Sequence, residues 1–74
     1  MLFRSMKNTL LGLDIIFISE DYIIVDKYKE AMPLSDEIYT SKTKAKFILE
    51  INSGLIKKLG IEMGDEVHIE YKSK

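Results

Sequence analysis

The sequence predicts a small α+β protein, mostly β, in which one short helix accompanies an antiparallel-rich, barrel-like sheet. Three observations lead to this fold class. The chain has 74 residues, which is enough for a single domain spanning residues 1–74 with one small hydrophobic core. Its content of 46% hydrophobic and 31% charged residues is typical of a folded chain rather than a disordered one. Runs of β-branched residues recur along the chain, whereas only one short segment has the spacing of an amphipathic helix.

The first two predicted strands form a hairpin. Residues 14–19 are largely apolar at both odd and even positions, which is typical of a central strand buried on both faces. Glu20 and Asp21 interrupt the run, and residues 22–28 resume it as a second strand. Two strands separated by two polar residues indicate a hairpin, although this turn contains no glycine.

A loop and a half-buried strand follow. The loop covers residues 29–37 and contains the only proline of the chain, and we expect a short extended piece at residues 38–40. Residues 44–51 then alternate between two faces, which predicts a strand with one face buried. One face carries Phe47, Leu49 and Ile51, and the other carries Lys44, Lys46, Ile48 and Glu50.

The only predicted helix covers residues 53–59, with Asn52 or Ser53 as its N-cap. Gly60 is placed to end it in a left-handed conformation. A turn at Gly64 leads into a last strand at residues 66–71. Its inward-facing side chains are predicted to be Val67, Ile69 and Tyr71.

Two separated motifs carry a family resemblance. Residues 6–10 (Met-Lys-Asn-Thr-Leu) and the strand that follows at residues 13–18 resemble the signature of the family catalogued as domain of unknown function 192. Residues 47–54 (Phe-Ile-Leu-Glu-Ile-Asn-Ser-Gly) and residues 59–65 agree with it in order and spacing. The resemblance covers nearly the whole chain. It implies a small, β-rich, barrel-like fold and no established activity.

The chain departs from the family pattern mainly at its beginning. Ser5 stands where the family usually has an aromatic residue, and Gly12 stands where it often has proline. The family usually carries several dozen further residues before the first motif, so the chain resembles an N-terminally short member. We expect a missing strand to expose a sheet edge, which proteins cover, charge or pair with another chain. The sequence thus predicts a homo-oligomer formed through this edge.

The best candidate ligand site lies around the first motif. Asparagine and threonine there can hydrogen-bond to exposed backbone, while lysine and aspartate can pair with each other. One interpretation is a pocket for an anion or another small ligand of unknown identity; the other is a polar turn that orders the mouth of the barrel. The candidate ligand-binding residues are Lys7, Asn8, Thr9, Asp14, Glu50 and Asn52.

The sequence predicts no enzyme, metal site or cofactor. Asp14 and Glu50 could form a carboxylate pair for acid–base chemistry, but nothing in the sequence brings them together and no nucleophile stands nearby. The chain has no cysteine and a single histidine, His68, so it cannot form a thiolate or multi-histidine metal site by itself. His68 is expected on the polar, solvated face of the last strand.

A basic stretch supports an alternative function. A strand, a short helix and a Leu-Gly-Ile-x-x-Gly-Asp segment within residues 44–71 resemble the swapped-hairpin transcription factors of the antitoxin and transition-state-regulator type. In those dimers a basic face meets DNA phosphates. The net charge of −1 argues against strong non-specific attraction to nucleic acid. The candidate nucleic-acid-binding residues are Lys42, Lys44, Lys46, Lys57 and Lys58.

The sequence predicts a cytoplasmic chain without membrane association, because no apolar run reaches the roughly 18–20 residues of a membrane span and its start lacks the apolar region of a secretory signal. The predicted function is a non-enzymatic module that binds a ligand or another protein. The alternative is the dimeric DNA-binding regulator.

Overall fold

The computed structural model describes residues 2–70. In chain order the elements are β1 (Phe3–Ser5), β2 (Leu13–Ile18), β3 (Ile24–Ala31), β4 (Ile38–Thr40), β5 (Phe47–Asn52) and α1 (Leu55–Leu59). A three-stranded antiparallel sheet has the order β3-β2-β5, and a two-stranded antiparallel sheet pairs β1 with β4. The predicted class, mostly β with one short helix, is confirmed. Within residues 2–70 the two sheets do not close into a barrel.

The central strand β2 organises the molecule because both of its faces are buried. Ile15 and Phe17 point to one face, and Ile16 and Ile18 point to the other. All four side chains are buried, which explains why this run is apolar at both odd and even positions. The prediction of a central strand is confirmed.

Each face of the central sheet has its own hydrophobic cluster. On one face Ile15 and Phe17 pack with Met6, Ala31 and Tyr39, so the β1–β4 side of the chain covers this face. On the other face, covered by α1, the buried cluster consists of Ile16, Ile18, Ile24 and Ile56. The small core is thus divided into two layers, with β2 between them.

The hairpin between β2 and β3 turns without a glycine. The Tyr22 N–H donates to the Ser19 carbonyl oxygen at 3.0 Å, and the Ile23 N–H donates to the Ser19 hydroxyl at 3.2 Å. Tyr22 itself takes a left-handed φ of 63°. The serine side chain therefore stabilises a turn whose type the sequence left open. The second strand begins at Ile24 and continues to Ala31, three residues into the predicted loop.

A strand and a helix are present where β5 and α1 were predicted, but each begins later than expected. β5 begins at Phe47 rather than at residue 44, and α1 begins at Leu55 rather than at residue 53. The predicted cap by Asn52 or Ser53 is wrong, because Gly54 occupies the N-cap position and the cap has no side-chain hydrogen bond. Gly60 ends the helix in a left-handed conformation, as predicted.

The two ends of the chain differ most from the prediction. β1 was missed, because three residues are too few to show an alternating pattern. The predicted last strand is wrong over its described part, since Glu66 forms only an isolated bridge with Ile23 and residues 67–70 belong to no strand. Ile69, predicted to face inward, is 46% exposed. Tyr71 lies outside the described residues.

The left-handed end of α1 gives the first test. Gly60 has a φ of 65°, so Gly60→Ala should lower the free energy of unfolding by about 1 kcal/mol in urea denaturation. Gly12→Ala is the matched control, because a methyl group there would make only ordinary contacts at 3.5 Å or more. It should change stability by no more than about 0.5 kcal/mol. Equal losses in both variants would show that the left-handed conformation of Gly60 contributes nothing.

Candidate functional site

Asp14 is the most deeply buried charged side chain within residues 2–70. It lies in β2 with no exposed surface. One carboxylate oxygen, Oδ1, accepts a hydrogen bond from the Glu30 N–H at 2.7 Å, and Oδ2 accepts one from the Ile56 N–H at 2.8 Å. The carboxylate therefore joins β2 to β3 on one side and to the first turn of α1 on the other.

This arrangement explains how α1 begins without a local cap. The first N–H groups of a helix have no partner within the helix, and Gly54 has no side chain to offer. Asp14, which is 42 residues from Ile56 in sequence, supplies the acceptor instead. At its other end it holds the N–H of Glu30, whose φ of 52° marks an irregular end of β3.

The hydrogen bonds determine the protonation state of Asp14. Burial raises the pKa of its carboxyl group, but hydrogen bonds from the Glu30, Ile56 and Gly54 N–H groups and the charge of Lys29 act in the opposite direction. Their sum holds the pKa below its ordinary value of 3.8. A carboxylate that accepts several N–H bonds is expected to stay ionised in this way.

The strand register separates the candidate ligand-binding residues into two groups. Asn52 and Glu50 lie opposite Leu13 and Ile15, whereas Asp14 lies opposite Ile51. Side chains of directly opposed residues point to the same face of a sheet. Glu50 and Asn52 therefore lie on one face, and Asp14 lies on the other beneath α1. The structure does not bring the Asp14 and Glu50 carboxylates together as an acid–base pair.

Glu50 is instead paired with a residue that sequence reasoning missed. Arg4 of β1 forms an ion pair with Glu50 and donates a hydrogen bond to the Thr9 hydroxyl at 3.0 Å. The pair ties the two-stranded sheet to β5. A signal was present, because Arg4 is the only arginine in a chain of ten lysines, and arginine is better suited than lysine to bind several acceptors at a fixed place.

The remaining members of the first motif form an exposed turn. The Thr9 N–H donates to the Met6 carbonyl oxygen at 3.1 Å, and the Lys7 N–H donates to the Ser5 hydroxyl at 3.2 Å. Lys7 and Asn8 are exposed, and Thr9 is half-buried. This geometry matches the polar turn that was one of the two interpretations of the segment. Ligand binding by these residues stays a prediction.

The five candidate nucleic-acid-binding lysines do not all lie in one place. Lys42, Lys44 and Lys46 line an open cavity of about 540 Å³, and the Lys46 N–H donates to the Ile18 carbonyl oxygen at the far end of β2. Lys57 lies at the other end of β2, where it lines a cavity of about 30 Å³ beside Asp14. Asp14 and Ile18 are four residues apart in β2, so the two groups are separated by roughly 13 Å along the strand.

His68 lies on the surface, as expected. Its side chain is 85% exposed, and its Nε2 atom is 3.8 Å from the Glu66 carboxylate. Within residues 2–70 no cluster of three or more histidine, aspartate or glutamate residues is placed to hold a metal ion. In the same part of the chain, no helix is long and apolar enough to cross a membrane.

An uncovered group of apolar side chains is the most unusual surface feature, and sequence reasoning missed it. Six large apolar side chains are each 59–79% exposed and lie on neighbouring segments of the chain. We call them the apolar surface. Its members are Phe3, Leu10, Leu11, Met32, Leu34 and Ile38.

Backbone pairing explains why these segments meet. Ser5 pairs with Ile38 and Phe3 with Thr40, so Phe3 and Ile38 share the outer face of the β1–β4 sheet, opposite the buried Tyr39. The Leu34 N–H donates to the Thr9 carbonyl oxygen at 3.0 Å, which places the loop after β3 beside the chain leading to Leu10. The segments that carry the apolar surface are therefore joined by hydrogen bonds.

Comparisons with known proteins give one family model and two similar solved structures. The family model of DUF192, described as "Uncharacterized ACR", matches residues 3–69. A protein of unknown function from Novosphingobium aromaticivorans has a crystal structure with a TM-score of 0.88 and 35% identity, covering 93% of this chain and 49% of that one. A "putative transcription regulator" from Sinorhizobium meliloti has a TM-score of 0.84 and 38% identity, covering 88% of this chain and 50% of that one.

The chain thus spans about half the length of each of these two solved structures. No curated protein matches the chain.

The buried carboxylate predicts how stability depends on pH. Because folding lowers the pKa of Asp14, its contribution is fully present above the unfolded pKa near 4 and is lost as the pH falls through the lower folded value. Asp14→Asn should therefore flatten the acid limb of the unfolding free energy. At neutral pH the substitution should lower the free energy of unfolding by about 2–3 kcal/mol. The charged hydrogen bonds are lost, and one backbone N–H then faces the NH₂ group of the asparagine.

Urea denaturation monitored by circular dichroism between neutral and acidic pH measures both effects. Asp21→Asn, at an exposed carboxylate of the β2–β3 turn, is the control and should change neutral-pH stability by no more than about 0.5 kcal/mol. An acid limb equally steep in Asp14→Asn and in the unsubstituted protein would contradict the assignment.

Proposed function

The chain belongs to the DUF192 family, and we propose from its own surface that it is a non-enzymatic protein-interaction module. Its binding face is the apolar surface formed around the β1–β4 sheet. The partner is a protein that presents apolar side chains of its own. No catalytic step is part of this proposal.

The exposure of the six apolar side chains carries the proposal. Leu10 and Leu11 are 79% and 73% exposed. Removing apolar surface from water is favourable by about 25 cal/mol per Å². Soluble monomers rarely leave a large contiguous patch uncovered, and such patches mark interaction sites. A binding partner would remove this unfavourable exposure.

Other exposed apolar residues do not form a comparable group. Tyr22, Leu49, Leu59, Met63 and Ile69 are spread over the hairpin turn, β5, α1 and the segment that follows it. Single exposed apolar side chains are normal on protein surfaces. Leu59, 64% exposed near the end of α1, therefore serves as a matched control for the leucines of the apolar surface.

Nucleic-acid binding is the second candidate function. One similar structure is described as a "putative transcription regulator", and Lys42, Lys44 and Lys46 together line an open cavity of about 540 Å³. Their three charges favour contact with phosphates. The separation of Lys57 from this group reduces the basic area available, which is why the interaction module is preferred.

A hydrophobic dye tests the proposed binding face. At low micromolar protein concentration, an anilinonaphthalene sulfonate dye should bind the unsubstituted protein, and Leu10→Ser/Leu11→Ser should bind it about tenfold more weakly, because two anchoring side chains are removed. Leu59→Ser should bind like the unsubstituted protein. Near-ultraviolet circular dichroism confirms that each variant is folded. Equal dye binding by all three proteins would contradict the proposal.

Electrophoretic mobility at low salt tests the second candidate. If the lysine cavity contacts phosphates, a duplex DNA probe should shift at micromolar protein, and Lys42→Ala/Lys44→Ala/Lys46→Ala should abolish the shift. Lys57→Ala/Lys58→Ala, which removes similar charges elsewhere, should leave most of it. The absence of a shift with the unsubstituted protein would remove this function.

A further inference from the structure

The β1–β4 sheet is packed on its inner face only, within the part of the chain that the structure describes. Each strand has three residues and one neighbour in the part of the chain that the structure describes. Its inner face is covered, since Tyr39 is buried in a core cluster. Its outer face presents Phe3 and Ile38, both at least 60% exposed. Two-stranded sheets gain stability mainly from packing against another layer, and within residues 2–70 nothing supplies that layer on the outer face.

The apolar surface resembles the centre of a subunit interface in composition. A standard interface buries roughly 800 Å² on each partner and has an apolar centre. Six large side chains, each more than half exposed, provide such a centre. In a two-fold symmetric dimer the same patch occurs on both subunits, so one apolar surface meets another in a single contact.

The charges beside the apolar surface favour a partner with the same arrangement. Lys7 lies three residues before Leu10, and Asp36 lies between Leu34 and Ile38. Both are exposed, and the two ion pairs found within residues 2–70 involve neither of them. A wholly basic or wholly acidic partner would repel one of the two charges. A second copy places Lys7 of each subunit where it can approach Asp36 of the other, so the contact is made twice.

From these observations we infer that the partner of the apolar surface is a second copy of this chain, in a two-fold dimer that packs the outer faces of the β1–β4 sheets together. The inference rests on the proposed interaction function and names its partner. It moves the self-association predicted from the sequence away from a bare sheet edge and onto an apolar face.

Sedimentation velocity over a range from low micromolar to near-millimolar concentration tests this dimer. The unsubstituted chain should shift from its own mass of 8.6 kDa towards twice that mass as concentration rises. Leu10→Ser/Leu11→Ser should weaken dimerisation by at least about tenfold. Leu59→Ser, at a leucine that is also mostly exposed but lies on α1, should dimerise like the unsubstituted chain. A monomer at all concentrations, or equal association of both variants, would overturn the inference.

A charge-exchange experiment tests the two-fold arrangement itself. Lys7→Glu and Asp36→Lys should each weaken self-association, because each places like charges opposite one another at both symmetric contacts. An equimolar mixture of the two variants should dimerise again, since both contacts in the mixed dimer then join opposite charges. A mixture that associates no better than either variant alone would contradict the arrangement.

The dye and sedimentation measurements separate the two levels of the proposal. Dye binding that depends on Leu10 and Leu11, together with a strictly monomeric chain, would overturn the second copy as partner and leave the interaction module standing. Dye binding that is independent of these leucines, together with a monomeric chain, would overturn both.

Discussion

The buried carboxylate of Asp14 is the interaction on which the rest of the structure depends. It accepts N–H groups from β3 and from the start of α1, so one side chain of the central strand fixes an element on each side of it. A buried charge is stable only when such bonds replace the water it has lost. Losing the bonds would leave both an unpaired charge and an uncapped helix, in a chain too small to absorb much destabilisation.

The same strand assigns a different role to each face of the sheet. The face under Asp14 is closed by α1, whose Ile56 completes a buried cluster. The opposite face is closed by Met6 and Tyr39 and is held by the Arg4–Glu50 ion pair. Covering that face with so thin a layer leaves the layer's own outer side in water. The exposure of Phe3 and Ile38 is therefore a consequence of how the core is built, and this links the fold to the proposed interaction.

Local patterns predicted the fold well, and contacts between distant residues were beyond them. The apolar run of β2 and the stop at Gly60 depend on neighbours in sequence, so both could be predicted. Asp14 was singled out, but as a ligand group, because nothing in a linear pattern says that its acceptors face backbone N–H groups 16 and 42 residues away. The sequence also could not show that Glu50 and Asp14 lie on opposite faces of the sheet, because those faces follow from the pairing register. Arg4 was overlooked because β1 is too short to be recognised without its partner.

Amide nuclear magnetic resonance spectra recorded at increasing protein concentration test the central claim most directly. The account predicts that signals from residues 10–11, 32–34 and 38 move as the apolar surface is covered. The amide signals of Glu30 and Ile56, held by Asp14 inside each subunit, should stay in place. Concentration-dependent shifts confined to the lysine segment at residues 42–46, or shifts centred on Glu30 and Ile56, would contradict it.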